Sequence, residues 1–352
     1  MTLCILALAA EPQISLVLTV YNQAKYLNDT LTNLLLQTYQ DFEIVCVNDA
    51  STDNSVEIIQ EFMEKTDKIV LVHQEYNRGT LNTRVLGIRS SRGKYIIQFD
   101  PDDSFTSYTV LEELSAYIEY DIDFYHFNEV WLVNGLPIQQ CDRTDPLQPI
   151  CYDDQIWANP RHDFLTHDQL QLELMSGQLG YLVHGKMIKR SVYLQATDFI
   201  QPLVDRYSIY EDDCSLMFGV SLYIESYKKI NLYGYNYNIH PDSVIRDAQK
   251  STKFAIQFVK DNRAAFIFIN FNIMAKRRRS GLPIAPFTIT YGMHTQYFLR
   301  RITTLSWMQK CELCTSSYLY MQSVQNYIDM CSYICQRSIQ TDFIEKGVCY
   351  EY

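Results

Sequence analysis

At 352 residues, 47% hydrophobic and 20% charged, the chain has the length for one large domain or two and the composition of an ordinary globular protein. Its net charge of -11 excludes a general nucleic-acid binder, which needs a basic footprint, while leaving room for a local anion site. Ten cysteines, scattered without the spacing of a secreted disulfide scaffold, point to a reducing, cytoplasmic compartment.

The first ten residues, MTLCILALAA, are apolar, and Ala7-Leu8-Ala9 has the small-x-small spacing of a signal cleavage site. The stretch lacks a basic start, and the next strand begins four residues later, which weighs against a signal peptide. No run reaches the ~18 apolar residues of a spanning helix. Residues 14–20 (ISLVLTV) read as a buried strand that ends at Tyr21-Asn22. Leu27, Leu31, Leu34 and Leu35 then fall on one face of a helix over 23–37. A second strand, EIVCV at 43–47, runs into a polar turn at 48–53. The helix after it carries Ile58, Ile59, Phe62 and Met63, and Asn54 with Glu57 has capping-box spacing. A third strand at 69–73, a turn at 77–80, a third helix at 81–89 and a fourth strand at 95–99 complete a regular alternation. Such alternation implies an α/β fold with a mostly parallel sheet flanked by helices, and ligands in such sheets bind outside the carboxyl ends of the strands. Tyr21-Asn22, Asn48-Asp49 and Asp100–Asp103 all sit at those ends and so can share one crevice.

The fourth strand runs straight into Asp100-Pro101-Asp102-Asp103. Three carboxylates within four residues at the end of a buried strand must be solvated or neutralised by a cation. Magnesium and manganese take one or two carboxylates together with substrate phosphates. An ordinary acidic turn is the competing reading. Further on, 108–120 reads as a helix, 124–133 as a strand turning at Asn134-Gly135, 136–160 as a loop, 163–176 as a helix and 227–239 as strands. Glu211-Asp212-Asp213 opens an apolar helical run, where acidic residues also serve simply to start a helix, by ~0.3–1 kcal/mol each.

Five segments in order, ISLVLTVYN, VCVNDASTDNS, NRGTLNTRVLGIRSSRGKYIIQFDPDD, YEDDCSLMFGVSLY and YNYNIHPDSV, resemble the family 2 glycosyltransferases of the GT-A fold. The likeness is good over 13–105 and weaker over 180–245. It implies a GT-A domain at 12–245, with a nucleotide-binding half at 12–105 and an acceptor half at 106–245, followed by a mainly helical region at 246–352. It implies an inverting transfer of a sugar from a nucleoside diphosphate, by family habit UDP, to a hydroxyl on a surface glycan, lipo-oligosaccharide or glycoprotein. Thr19 and Tyr21 would line the nucleotide pocket, Asp49 would bond the base, Arg84 would lie beside the nucleotide and Asp100 would face the ribose. Asp102 would hold a divalent manganese or magnesium ion, with Asp103 as a further ligand or a group behind it. His240 would approach the metal or diphosphate. Asp212 would be the general base, with Glu211 positioning the acceptor. Val85 stands where the family usually has Asn, the 136–160 loop has no counterpart, and 250–352 match nothing recognisable.

Two alternatives remain. A sugar-1-phosphate nucleotidyltransferase shares the alternation but needs a Gly-rich loop after the first strand, and TVYNQAKYL has no Gly. A non-catalytic sugar-nucleotide-binding scaffold would have no use for Asp100, Asp102 and Asp212 together. In the C-terminal third, AAFIFINFNIMA precedes Lys276-Arg277-Arg278-Arg279. This is either a packed helix with a solvated basic end or a peripheral contact at the inner face of a membrane. Cys311-x-x-Cys314 and Cys331-x-x-x-Cys335 approach zinc-ribbon spacing, but the sequence around them is helical, which favours packing cysteines.

Overall fold

The computed structural model describes residues 11–133, 135–137, 165, 169–170, 182–206 and 212–240. The N-terminal apolar stretch, the 138–160 part of the loop, most of the 163–176 helix, Glu211, the apolar-basic segment and the four C-terminal cysteines lie outside the described residues. Four strands, β1 (Ile14–Val20), β2 (Phe42–Asn48), β3 (Ile69–His73) and β4 (Tyr95–Phe99), alternate with helices α1 (Ala24–Leu35), α2 (Ser55–Met63) and α3 (Thr80–Ser90). They pair in parallel in the order β3-β2-β1-β4, with β1 Val20 level with β2 Asn48. The carboxyl ends of β1, β2 and β4 therefore share one edge.

The sheet continues beyond β4. β8 (Lys186–Lys189) pairs antiparallel with β4 and with β6 (Phe124–Val133). β9 (Tyr227–Ile239) runs parallel to β6, and the short β5 (Ser104–Phe105) pairs antiparallel with β9. β7 (Leu136–Pro137) turns back on β6 through Gly135, whose φ of +76° suits a residue without a Cβ. Helices α4 (Val110–Ser115), α5 (Arg190–Phe199), α6 (Gln201–Val204) and α7 (Asp212–Ser221) complete the described elements.

Strand alternation sends side chains to two buried layers. Leu16, Leu18, Val20, Ile44, Cys46, Ile97 and Phe99 pack with α1 and α4. Val17, Val45, Val47 and Ile96 pack with Leu81, Val85 and Ile88 of α3 and with α5 and α7. Val85 thus fills core space. Gly87 lets α3 sit directly on β1: a Cβ there would lie 2.3 Å from Val17 Cγ1. Cys46 and Cys214 are buried thiols, and burial pushes that of Cys46 up to about 12. Among the described residues no helix is long and apolar enough to cross a membrane.

Three local expectations need correction. Asn54 makes no side-chain cap bond. Asp53 takes that place: its Oδ1 accepts from Ser55 N at 3.0 Å, and its Oδ2 accepts from Ala24 N at the start of α1, also at 3.0 Å. One carboxylate so caps two helices, because the loops after β1 and β2 lie side by side. The 108–120 helix is broken into α4 and a 3-10 turn at Ile118–Tyr120, which Tyr125 anchors by donating to the Tyr117 carbonyl at 2.5 Å. Residues 227–239 form one long strand rather than several.

Candidate active site

The acidic turn after β4 is fastened from three sides. Thr30 of α1 donates to the carbonyls of Pro101 (2.7 Å) and Asp103 (3.1 Å). Asn33 exchanges two bonds with the Phe105 backbone. From β9, Tyr235 accepts the Asp100 N–H at 3.2 Å and donates to Asp103 Oδ2 at 2.7 Å. The Asn238 N–H fills Asp103 Oδ1 at 2.7 Å. Asp103 is therefore buried with both oxygens bonded to the protein, and it borders the same cavity as Asp102. Burial, then the neighbouring Asp102 and Asp100, push its carboxyl well above the usual range.

Asp102 points the other way. Its Oδ2 meets His240 Nε2 at 2.5 Å, and His240 Nδ1 meets the Tyr26 hydroxyl at 3.0 Å. Both side chains keep some exposure, 20% for Asp102 and 16% for His240. They line a cavity of about 280 Å³ together with Tyr26, Asp29, Ser104 and Asn238. Among the described residues no group of three or more His, Cys, Asp or Glu converges as a ready-made metal cage. The Asp102 carboxylate on the cavity wall nevertheless fits a hard divalent cation that draws its remaining ligands from phosphate and water, and His240 would join it by exchanging its bond to Asp102 or Tyr26 for the ion.

Arg84 is 4% exposed and lies under the site. Its Nη2 donates to Asp100 Oδ1 at 2.8 Å and its Nε to Asp212 Oδ2 at 2.7 Å, with Asp213 Oδ1 at 3.6 Å. The guanidinium so joins the β4 turn to the first turn of α7, with Asp100 and Asp212 separated by 112 positions in the chain. Asp213 is pushed well above the usual carboxylate range by burial and then by Asp212, with Arg84 opposing. The surrounding carboxylates hold the Arg84 charge firmly despite burial. Placed in this way, Arg84 is buried, with Nε and Nη2 on protein carboxylates and Nη1 enclosed without a hydrogen-bond partner among the described residues.

The other expected residues fall along the same edge. Thr19 is half-buried near the end of β1, and Tyr21 follows it, exposed. Asp49 directly follows β2, but it is buried and accepts three N–H donors: Gln74 Nε2 (2.9 Å) and Arg78 N (2.7 Å) on Oδ1, and Gly79 N (3.0 Å) on Oδ2. It fixes the 74–79 loop that starts α3, where Gly79 has φ of +86°. Burial raises its pKa, against the two backbone N–H donors. Sequence reasoning missed Tyr26 and Tyr235, whose hydroxyls complete the site. The alternate tyrosines of YGYNYN were the available signal for Tyr235. It also missed a buried group beneath α7, where Glu129 Oε1 pairs with His184 Nδ1 at 2.7 Å and Lys186 donates to the His184 carbonyl at 3.2 Å.

Comparison with known proteins follows this geometry. Residues 15–129 match the model of the family described as glycosyl transferase family 2. Glycosyltransferase GlyG of Streptococcus pneumoniae is 35% identical over 144 residues, 36% of this chain and 48% of GlyG. Putative glycosyltransferase EpsH of Bacillus subtilis is 26% identical over 257 residues, 73% of this chain and 69% of EpsH. The chain thus spans about half the length of GlyG. The crystal structure of S. aureus TarS 1-349 in complex with UDP-GlcNAc has the same fold, with a TM-score of 0.50, 14% identity, and coverage of 90% of this chain and 92% of that one. The mixed, mostly parallel sheet with flanking helices is the GT-A fold.

Proposed function

We propose, for a chain whose residues 15–129 match glycosyl transferase family 2, that it moves a sugar from a nucleoside diphosphate to a hydroxyl acceptor with inversion at the anomeric carbon. One observation carries the reading: the Arg84 guanidinium brings Asp212 to the acidic turn, with bonds of 2.7 and 2.8 Å on its two sides. A carboxylate on one segment and the donor motif on another is the arrangement a single displacement needs.

In this reading the edge formed by Thr19, Tyr21 and Asp49 takes the nucleoside, and Asp100 faces the ribose. Asp102 and His240 would hold the divalent cation, which when bound supplies Lewis-acid stabilisation to the departing diphosphate. Asp212 accepts the acceptor's proton, which requires hydrogen-bond reach rather than a special residue type. Residues 12–105 serve the donor, 106–245 the acceptor, and Glu211 stands next to the base in sequence. The donor is a UDP-sugar in the first instance, and the acceptor a surface glycan, lipid-linked glycan or glycoprotein. A non-catalytic sugar-nucleotide scaffold is the reading it must defeat.

Thermal stabilisation by UDP, GDP and TDP, each with and without manganese, tests the donor half, because a ligand of the native state raises the melting temperature by mass action. Manganese-dependent stabilisation by one of them is expected, and no shift with any sinks the donor assignment. Asp212→Asn is expected to keep that shift while losing transfer. Transfer at the wild-type rate by this variant removes the base assignment.

A further inference from the structure

We infer that Arg84 is a positioning residue that couples occupancy of the donor site to the placement of Asp212, an inference that rests on the reading of Asp212 as the base. Three observations carry it. First, Arg84 is almost wholly enclosed, with Nε and Nη2 bonded to protein carboxylates and Nη1 buried without a hydrogen-bond partner among the described residues, so that its hold on the site runs through Asp212 and Asp100. A side chain so committed acts on substrate through what it holds. Second, the two carboxylates belong to different parts of the site, Asp100 on the turn that would face the donor and Asp212 on the helix that would face the acceptor. A planar fork can fix both at once, whereas a point charge cannot fix their relative geometry.

Third, the backbone carrying Arg84 is immobilised. The Thr83 hydroxyl bonds to the Gly79 carbonyl at 2.9 Å, Asp49 holds the start of α3, and Gly87, one turn on, sits against Val17. Arg84 is therefore a strut with one fixed end. A shift of Asp100 when a nucleotide seats on it must be passed to Asp212 or break a buried charge-assisted bond. The simpler view is that Arg84 only neutralises buried acids. Charge alone would then suffice, and lysine would replace it.

Hydrogen exchange of the first turn of α7, residues 212–216, separates the two views. The probe is whichever of UDP, GDP or TDP with manganese stabilises the wild type. In the wild type the nucleotide is expected to slow exchange of this turn at least ~3-fold by rigidifying it. In Arg84→Lys the nucleotide affinity stays within ~3-fold of wild type, but the α7 response disappears. Sugar transfer or donor hydrolysis is expected to fall ~10²-fold in that variant, the scale of a 1 Å misplacement. Arg84→Lys in an Asp212→Asn background adds less than ~3-fold further loss, because both changes act on one group.

An α7 response that survives in Arg84→Lys, or is absent from the wild type, overturns the coupling. So do losses that multiply in the double variant. Full activity in Arg84→Lys with an inactive Asp212→Asn sinks the coupling alone and spares the base. Full activity in Asp212→Asn sinks the base reading and the coupling with it. Failure of all three nucleotides to bind the wild type overturns the donor reading and the coupling that depends on it.

Discussion

Gly87→Ala tests the close seat of α3 on the sheet. The added Cβ would lie 2.3 Å from Val17 Cγ1 and 3.1 Å from Val47 Cγ2. Carbon atoms rest at about 3.5–4.0 Å, so a displacement of more than ~1 Å is required. Val17 cannot supply it by rotation, since it is fully buried and β-branched. Such overpacking costs about 1–3 kcal/mol. Alanine regains ~1 kcal/mol of helix propensity over glycine. A clash of this depth belongs to the upper part of that range, about 2–3 kcal/mol, so the net expectation is a loss of about 1–2 kcal/mol in the stability of the full chain, read from the urea midpoint at unchanged slope. Adding Val17→Ala removes the offending methyl and should recover at least half of the loss, a non-additivity expected of touching side chains. Arg84 lies one turn before Gly87, so the single variant should also lose more activity than stability. A Gly87→Ala protein as stable as wild type would refute the reasoning, because helix propensity would then be the larger effect.

Asp102→Ala is expected to abolish the manganese-dependent part of nucleoside diphosphate binding in a thermal-shift titration, and undiminished manganese dependence would dismiss Asp102 as a ligand. Asp103→Asn, whose carboxamide can still accept from Asn238 N and meet the Tyr235 hydroxyl, should stay within ~1 kcal/mol of wild type and keep its metal response. Asp103→Ala orphans both partners and should lose ~2–4 kcal/mol by urea unfolding. A lost metal response in Asp103→Asn with intact stability would make Asp103 a ligand after all. Lys186 is 1% exposed, and burial lowers it to about 8, with Glu129 and Asp213 opposing. The unfolded chain keeps this proton up to ~10.4, so between about pH 8 and 10 the unfolded state binds more protons and stability rises with pH. Relative to Lys186→Met, wild type should gain ~1.4 kcal/mol per pH unit there, about 3 kcal/mol in all, and nothing below pH 7.5. Comparison with the variant cancels Cys46 and the tyrosines, which titrate at the upper end. A flat difference across pH 7 to 10 contradicts a buried, readily neutralised lysine.

The parallel half of the fold was legible because each strand there is a buried apolar run closed by polar residues, and each helix a stripe of leucines or isoleucines. β1, β3 and β4 have the bounds the sequence suggests. The convergence of the polar ends follows from parallel pairing alone. The antiparallel half was harder. β8 is only four residues, and its place between β4 and β6 depends on pairings far apart in the chain. Helix ends misled where neighbouring polar residues compete for the cap, as Asp53 does with Asn54 at α2. Within the site, residue type showed which groups could act, but not which way they point. Adjacent Asp102 and Asp103 look alike in sequence. Only the return of β9 decides that one is tied to Tyr235 and Asn238 and the other opens to the cavity. Arg84 is similar. A helix that reads as weakly amphipathic is in fact enclosed on most sides, and enclosure turns an arginine from a surface charge into a link.

In the proposed reading, the charges of this edge explain why a diphosphate ligand would need a cation. Asp100, Asp102 and Asp212 stand near one another with Arg84 as the bonded counter-charge for two of them. Asp103 and Asp213 are eased by burial toward their neutral forms. Lys186 sits behind Asp213 and itself gives up its proton readily. Asp102, on the wall of the cavity, has only the His240 imidazole beside it among the described residues, at 2.5 Å, so the acids of this edge outnumber its fixed cation, Arg84. A bare diphosphate placed there meets like charge at short range, where the low dielectric of a partly enclosed site strengthens repulsion. A divalent cation reverses the sign of that interaction for both partners at once. The same surplus that would be a defect in a structural turn becomes selectivity for a metal-bound diphosphate. It also predicts that nucleotide affinity without the cation improves in Asp102→Asn, which loses the charge but keeps the shape. Calorimetric titration of UDP in EDTA would decide it: weaker binding than wild type under those conditions means that Asp102 contributes something other than charge.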